Sequence, residues 1–328
     1  MKKRILSLLL VAAMAVGLFS GCGGKKGAGN SGGISASVVS IAIQPSAAFI
    51  PLFVARENGW IEDALADYDV SVVWYDFESG PPMNESIGKG ETDLGVMGDV
   101  PTVSAITMGQ EREVVAISAQ AADSYAVLAA ADSDIQSAAD LKGKKVATTI
   151  GSTGHNLIQK YLSTVGLTLS DVELVDASTA DMPYMLRKGQ VDAVALWEPN
   201  VTRIEDAGIG RVIGVGSDCG LAGTNTIVGR KEYTEANPKI IEVVLEQYKR
   251  AADSLDEVPD SIWKKVARYL SLDEEQVKAL IPKYNYTVEI TQEDIDSLND
   301  TIDFLHSIGS LDDYDISTYC NSSYYKAD

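Results

Sequence analysis

Residues 141–160 read LKGKKVATTIGSTGHNLIQK. A strand-like run ends at Ile150, a turn of small residues comes next, and helical spacing begins. Backbone N–H groups at such a helix start, together with the hydroxyls of Ser152 and Thr153, can hold an anion. Ser152 can equally serve as the helix cap, the commoner fate of such a serine. The residues therefore allow an oxyanion site and leave its occupant open. The phrase is neither GxxxxGK[ST] nor GxGxxG, so it is not a nucleotide loop of either kind. Two carboxylates accompany it. The stretches MNESIGKGETDLGVMGDVP (83–101) and MPYMLRKGQVDAVALWEPN (182–200) share Met83/Met182, Lys89/Lys188, Gly90/Gly189 and Asp93/Asp192, and each ends in an acid, Asp99 or Glu198. An acid just after a strand either lines a cleft at the strand's carboxyl end or caps the next helix. The sequence alone does not choose between the two.

The elements that must position these residues show a β-α-β-α rhythm from residue 38. SVVSIAI, VSVVWYDF, DLGVMG and EVVAISAQ read as strands, with AFIPLFVARENGWIEDA and VPTVSAITMG as intervening helices. SYAVLAAADS, KKVATTIG, VELVDA, QVDAVALWE and GRVIGVG repeat the pattern. STGHNLIQKYLSTVG is a strong helix whose inner face is expected to carry Leu157, Tyr161, Leu162 and Val165. TNTIVGRKEY reads as a strand leaving this second unit. The last hundred residues are mostly helical, with Asn237-Pro238 marking one start and Thr291 with Asp294 another. Alternation of this kind argues for two α/β units, each carrying one copy of the repeated phrase. Gly90 and Gly189 are expected at the positions just past a helix end, where a left-handed turn suits glycine.

Composition bounds the function. The chain has 328 residues and a net charge of -20. Its first 21 residues hold Lys2, Lys3 and Arg4 and no acid, so residues 22–328 carry 24 basic against 47 acidic residues, or -23. Such a surface repels phosphate backbones, so a nucleic-acid partner is disfavoured. KKR, then ILSLLLVAAMAVGLF, then Ser20-Gly21-Cys22 reads as a signal peptide over 1–21 with a lipidated Cys22. The apolar run is shorter than a membrane span needs. The Gly/Ser-rich stretch to residue 37 reads as a tether. Cys219 and Cys320 lie in a chain expected to be exported, where a disulfide is permitted; their spacing gives no framework and the bond stays open. No metal cluster and no cofactor motif is expected.

The order of phrases resembles the nitrate/sulfonate/taurine type of substrate-binding protein that serves ABC importers. The pieces are the lipobox at Cys22, PLFVARENGWIE (51–62), KGETDLGVMG (89–98), ADLKGKKVATTIGSTGH (139–155), KGQVDAVALWEP (188–199) and TIVGRKEYTEANP (226–238). Two departures stand out. Phe19 occupies the lipobox position where Leu is usual. Gly98-Asp99-Val100-Pro101 replaces a G-S-S/T-P pattern, putting an acid where that family often has a hydroxyl.

The resemblance implies a two-lobed periplasmic-binding-protein fold of type II, an α/β architecture with two crossover strands and a helical C-terminal region. Lobe 1 would be discontinuous, 38–122 plus 225–328, and lobe 2 would be 123–224. Ligand contacts carried over by position are Gln44, Ser46, Asp99, Asp123, Ser124, Ser152, Thr153, Gly154, His155, Trp197, Glu198 and Asn225. An acid at Asp99 would repel nitrate or sulfate and suit an amine. The implied ligand thus has an anionic head at Ser152–His155 and a cationic group near Asp99, Asp123 or Glu198, as taurine and related amino-sulfonates do. Implied partners are a small molecule, a membrane permease with its cytoplasmic ATPase, and the outer face of the cytoplasmic membrane through Cys22, with the protein itself a monomer. Two other readings stay open: the same transport role for a thiamine-pyrimidine precursor, and an enzyme on the same architecture. Against the enzyme, no lysine lies at a loop end to hold pyridoxal phosphate, and no G-x-S-x-G elbow occurs.

Overall fold

A computed structural model describes residues 33–309 and 314–326. The expected signal, lipidation site and most of the tether lie outside these residues. Eleven strands are described: β1 (Val38–Ile43), β2 (Ser71–Asp76), β3 (Leu94–Gly98), β4 (Arg112–Gln120), β5 (Tyr125–Ala130), β6 (Lys145–Thr148), β7 (Glu173–Asp176), β8 (Ala193–Trp197), β9 (Gly210–Val215), β10 (Thr224–Arg230) and β11 (Asn285–Tyr286). They form two sheets. One has the order β11-β4-β10-β3-β1-β2, the other β7-β6-β8-β5-β9.

Each sheet is mixed for the same reason. In the first, β1 runs parallel to β2 and β3, and β10 inserts antiparallel between β3 and β4. In the second, β6 runs parallel to β7 and β8, and β5 lies antiparallel between β8 and β9. The chain passes from the first sheet to the second between β4 and β5 and returns between β9 and β10. Each sheet therefore contains, near its middle, a strand that has just crossed over. Helices cover the sheets and bury two large apolar clusters. One gathers Ile41, Phe49, Phe53, Val96 and Trp263, and the other Val127, Val146, Leu157, Val194 and Leu196.

Local sequence accounts for most boundaries. Gly90 (φ 74) and Gly189 (φ 65) both take the left-handed turn after their helices, as the repeated phrase suggests. Thr291 and Asp294 form a reciprocal capping box at the start of the helix Gln292–Ser307. Asn237 precedes Pro238 at a helix start, but its Oδ1 accepts from Ser35 N, Ala36 N and Ser35 Oγ, tying down the entry to β1 rather than its own helix. Two expectations are corrected and one open point is settled. The run from Ala48 to Ala64 is not one helix: Ile50–Asn58 ends at Gly59, and Trp60–Ala66 starts anew. Val165 is exposed, because its helix stops at Ser163 before the next inward position is reached. Cys219 and Cys320 are both free thiols.

The two crossings touch. Ala121 N donates to Gly223 O at 3.2 Å. Gly223 has φ +68, and a β-carbon there would sit 2.5 Å from Ala121 O; one at Gly216 would overlap Ala122 O. Two backbones at this distance leave no room for side chains. Gly223→Ala is expected to destabilise the protein by about 1–3 kcal/mol, from strain and overpacking together. Urea unfolding checks this, and an unchanged midpoint would count against a packed crossing.

Candidate functional site

One small cavity lies where the two sheets face each other. It is lined by Gln44, Ser46, Phe49, Gly80, Gly98, Pro101, Tyr125, Ser152, Thr153, Trp197 and Asn225. The carboxyl ends of β1, β3 and β8 and the turn after β6 all deliver residues to it, the place where open α/β sheets bind ligands.

Four helix starts converge on this cavity. Ser46 caps the short 3-10 turn that leads into Ile50–Asn58, and Gly80 opens Gly80–Gly88. Gly98 is the cap of Asp99–Thr107, and Ser152 that of Thr153–Ser163. The positive ends of four helix dipoles therefore point toward one small space. The first amides of each helix precede the point where intrahelical bonding begins; Ala48 N and Val100 N are taken by Ser46 Oγ and Asp99 Oδ1, and those left without a partner can donate to an anion. None of the lining residues is charged. No cationic side chain lines the cavity, and the buried carboxyl of Asp99 lies beside it. Trp197 supplies a flat apolar wall. Gln44 is fixed by a bond from its Nε2 to Val96 O at 3.0 Å, and Asn225 Oδ1 accepts from Tyr125 OH at 3.0 Å. The cavity measures about 20 Å³, room for roughly one water. A larger solute requires the lobes to part.

Six of the twelve expected contacts meet there: Gln44, Ser46, Ser152, Thr153, Trp197 and Asn225. The other six have other occupations. Asp99 is buried beside the cavity and held by three donors: Val100 N at 2.7 Å, Thr153 Oγ1 at 2.5 Å and Thr301 Oγ1 at 2.8 Å. Thr153 belongs to the second sheet's unit and Thr301 to the C-terminal helix, so this carboxylate bonds to both sides of the seam. Glu198 is also buried. Its Oε1 accepts from Lys283 Nζ at 2.8 Å, its Oε2 from Thr202 N at 3.0 Å, and its carbonyl from Ala47 N at 3.3 Å. It is a helix cap and half of an ion pair across the lobes. Asp123 lines a separate hollow at the crossings with Ser217 and Lys283. Ser124 Oγ is turned back to Ala121 O at 2.8 Å. Gly154 lets its helix lie against β8, where a β-carbon would meet Ala195 O at 2.8 Å. His155 packs edge-on against Phe304, and burial pushes its imidazole below the ordinary range, favouring the neutral form.

Phe49, Gly80, Gly98, Pro101 and Tyr125 line the cavity without having been expected there. A signal existed for Gly80: it precedes Pro81-Pro82, and proline in a first turn marks a helix start. Phe49 reads as core by periodicity, and nothing local sets Tyr125 apart. Lys283 and Thr301 were beyond reach, since their partners Glu198 and Asp99 lie far away in sequence.

The chain belongs to the NMT1/THI5 like family, whose model matches residues 46–262. The architecture is that of the periplasmic binding proteins: it superposes with a TM-score of 0.81 on the alkanesulfonate-binding protein SsuA from Xanthomonas axonopodis pv. citri bound to MOPS, at 24% identity over 88% of this chain and 100% of that one. Among relatives, a protein of Escherichia coli (strain K12) named for binding aliphatic sulfonates is 32% identical over 202 residues, a match that spans 62% of each chain. A Bacillus subtilis (strain 168) protein of the same description is 26% identical over 93% of this chain and 91% of its own.

Burial holds Asp99 above the ordinary carboxylate range and outweighs the bonds from Thr153, Thr301 and Val100 that pull it down. A carboxyl raised in the folded state binds more protons folded than unfolded. Its contribution to stability is therefore full below the unfolded value and is lost as pH rises through the folded one. Asp99→Asn, which keeps the shape and removes the charge, should gain stability relative to the parent as pH rises from about 4 toward 7. Thermal melts across that range check the sign, and a parallel pair of profiles would show that Asp99 carries no such burden.

Proposed function

We propose that this chain is the extracytoplasmic solute-binding component of an ABC importer, and that it captures small aliphatic sulfonates in the cavity between its lobes. The observation that carries the reading is the convergence of four helix N-termini on a cavity without a charged side chain. A sulfonate offers three acceptor oxygens and one delocalised charge, which match backbone amides and dipoles that do not compete as strongly hydrated cations would. The names of the Escherichia coli and Bacillus subtilis relatives favour the same class. Taurine falls within it. Its ammonium is not matched by Asp99 or Glu198, which already have protein partners, so the amine is not the basis of recognition through either acid.

Capture works by differential affinity. A solute bound by the amides of the Thr153 helix on one side and by Gln44, Ser46 and Asn225 on the other binds the closed arrangement best and shifts the population toward it. The closed form is what a permease with its cytoplasmic ATPase would recognise. The lobes of this reading are 38–122 plus 225–328 and 123–224, a division supported by β5 to β9 forming a sheet of their own. Export under a signal at 1–21, attachment through Cys22 and action as a monomer complete the reading. A binding role is also favoured over an enzyme by the lining itself: neither Cys219 nor Cys320 reaches the cavity, and His155 turns away from it. The thiamine-pyrimidine alternative gains nothing from a cavity ringed by helix starts.

Isothermal titration with ethanesulfonate, taurine and nitrate tests the proposal. The two sulfonates are expected to bind with similar signs of enthalpy and nitrate to bind at least tenfold more weakly, a gap of about 1.4 kcal/mol. Nitrate binding tightest, or no response to either sulfonate, would refute it.

A further inference from the structure

The two sides of the seam also meet away from the cavity. His155, on the helix Thr153–Ser163, packs edge-on against Phe304 with ring centroids 5.3 Å apart. Each ring is anchored on its own side. Leu157 and Ile158, next along the helix of His155, are buried in the second sheet's apolar cluster. Phe304 is buried with Val100, Val103 and Ile106 of the helix Asp99–Thr107, which follows β3 of the first sheet. Parting the lobes therefore separates the two rings, and any solute larger than a water needs that step to enter the cavity.

With the seam shut, His155 is 5% exposed. Its Nδ1 accepts from Gly151 N at 3.5 Å, so the neutral ring carries its proton on Nε2. That Nε2 is buried and has no partner among the described residues. A second proton would go to Nδ1, which would then face an N–H instead of accepting from it. Burial holds the imidazole below the ordinary histidine range and outweighs Asp176, at the end of β7, whose charge favours the imidazolium. The other charged groups on the elements packed here are Asp300 and Asp303 on the C-terminal helix and Lys160 on the histidine's own, which line a groove beside Phe304, and Asp99, whose carboxyl is bonded to Thr153. Opening the seam brings water to the ring and returns it to ordinary basicity.

We propose that His155 makes the seam a proton-sensitive latch: the neutral ring permits closed lobes, the imidazolium holds them apart, and acidification releases the solute. The device acts on closure itself, so it applies to any solute the cleft takes. The open form binds the extra proton, so closing is favoured at high pH and weakened as pH falls through the open-form value, about 6.5. Asp99 acts in the opposite sense, since burial raises it and closing takes up a proton there. A variant at His155 keeps Asp99 and so isolates the imidazole.

Imidazole NMR and small-angle scattering on the whole ligand-free chain, between about pH 7.5 and 5, test the latch. His306→Gln leaves His155 as the sole imidazole, since the chain has 2 histidines. The radius of gyration should rise as the His155 signal titrates. His155→Phe should show no such rise; His155→Gln, also neutral, is the deciding variant if the phenylalanine form does not fold. With ethanesulfonate as probe, the parent's affinity should fall at least about threefold relative to the variant over the same range. Protonation of His155 without expansion, or equal expansion of parent and variant, would overturn the latch. The scattering result stands whether or not ethanesulfonate binds, so failure of the sulfonate reading alone leaves the latch in place.

Discussion

One buried carboxylate, that of Asp99, bonds to both halves of this molecule at once. Asp99 is shut away from solvent and takes a hydrogen bond from its own helix, from the lobe opposite and from the C-terminal helix. Burying a charge is unfavourable unless its hydration is replaced. Three donors replace part of it here, and two of them make a demand on the fold. Thr153 can approach only because Gly98 has no side chain; a β-carbon there would overlap its hydroxyl. Thr301 is in reach because Val100, Val103 and Ile106 pack on Leu298, Ile302 and Phe304, fixing one helix against the other. Remove either arrangement and the carboxylate is left buried and under-bonded.

Charges and dipoles divide the labour of the interface. Glu198 and Lys283 pair at one place, Asp99 draws on hydroxyls at another, and Gln159 bonds Ser307 at a third. Between them the cavity itself is neutral in its side chains. An anion held there is held by amides that the fold has already oriented, with little entropy left to lose. The attraction of partial charges is also weaker than that of a buried arginine would be.

Much of this was legible in the sequence, and the rest failed for identifiable reasons. Strand and helix order came from periodicity and from glycine and proline punctuation, as Gly90, Gly189 and the Thr291–Asp294 cap show. Ser152 and Thr153 could be found because a strand, a small-residue turn and a helix stand in one local phrase. The roles of the acids could not. Whether Asp99 faces a solute or a protein hydroxyl depends on residues 54 and 202 positions away, and no local pattern encodes which side chain a distant helix will present. Val165 went astray for a simpler cause: the helix ends two residues sooner than its apolar spacing does.

The insertion of β10 between β3 and β4 also orders events in time. The second sheet draws only on residues 125 to 215, so its unit can complete itself from contiguous chain. The first sheet cannot. Its strands β3 and β4 are made early but are joined only through β10, which arrives from the far side of the other unit. Closing so long a loop is slow because its entropy must be lost before the pairing rewards it. Until then the facing edges of β3 and β4 are open to other strands, a hazard while the chain is only partly folded. The order of assembly is thus set by the same double crossing that creates the cleft.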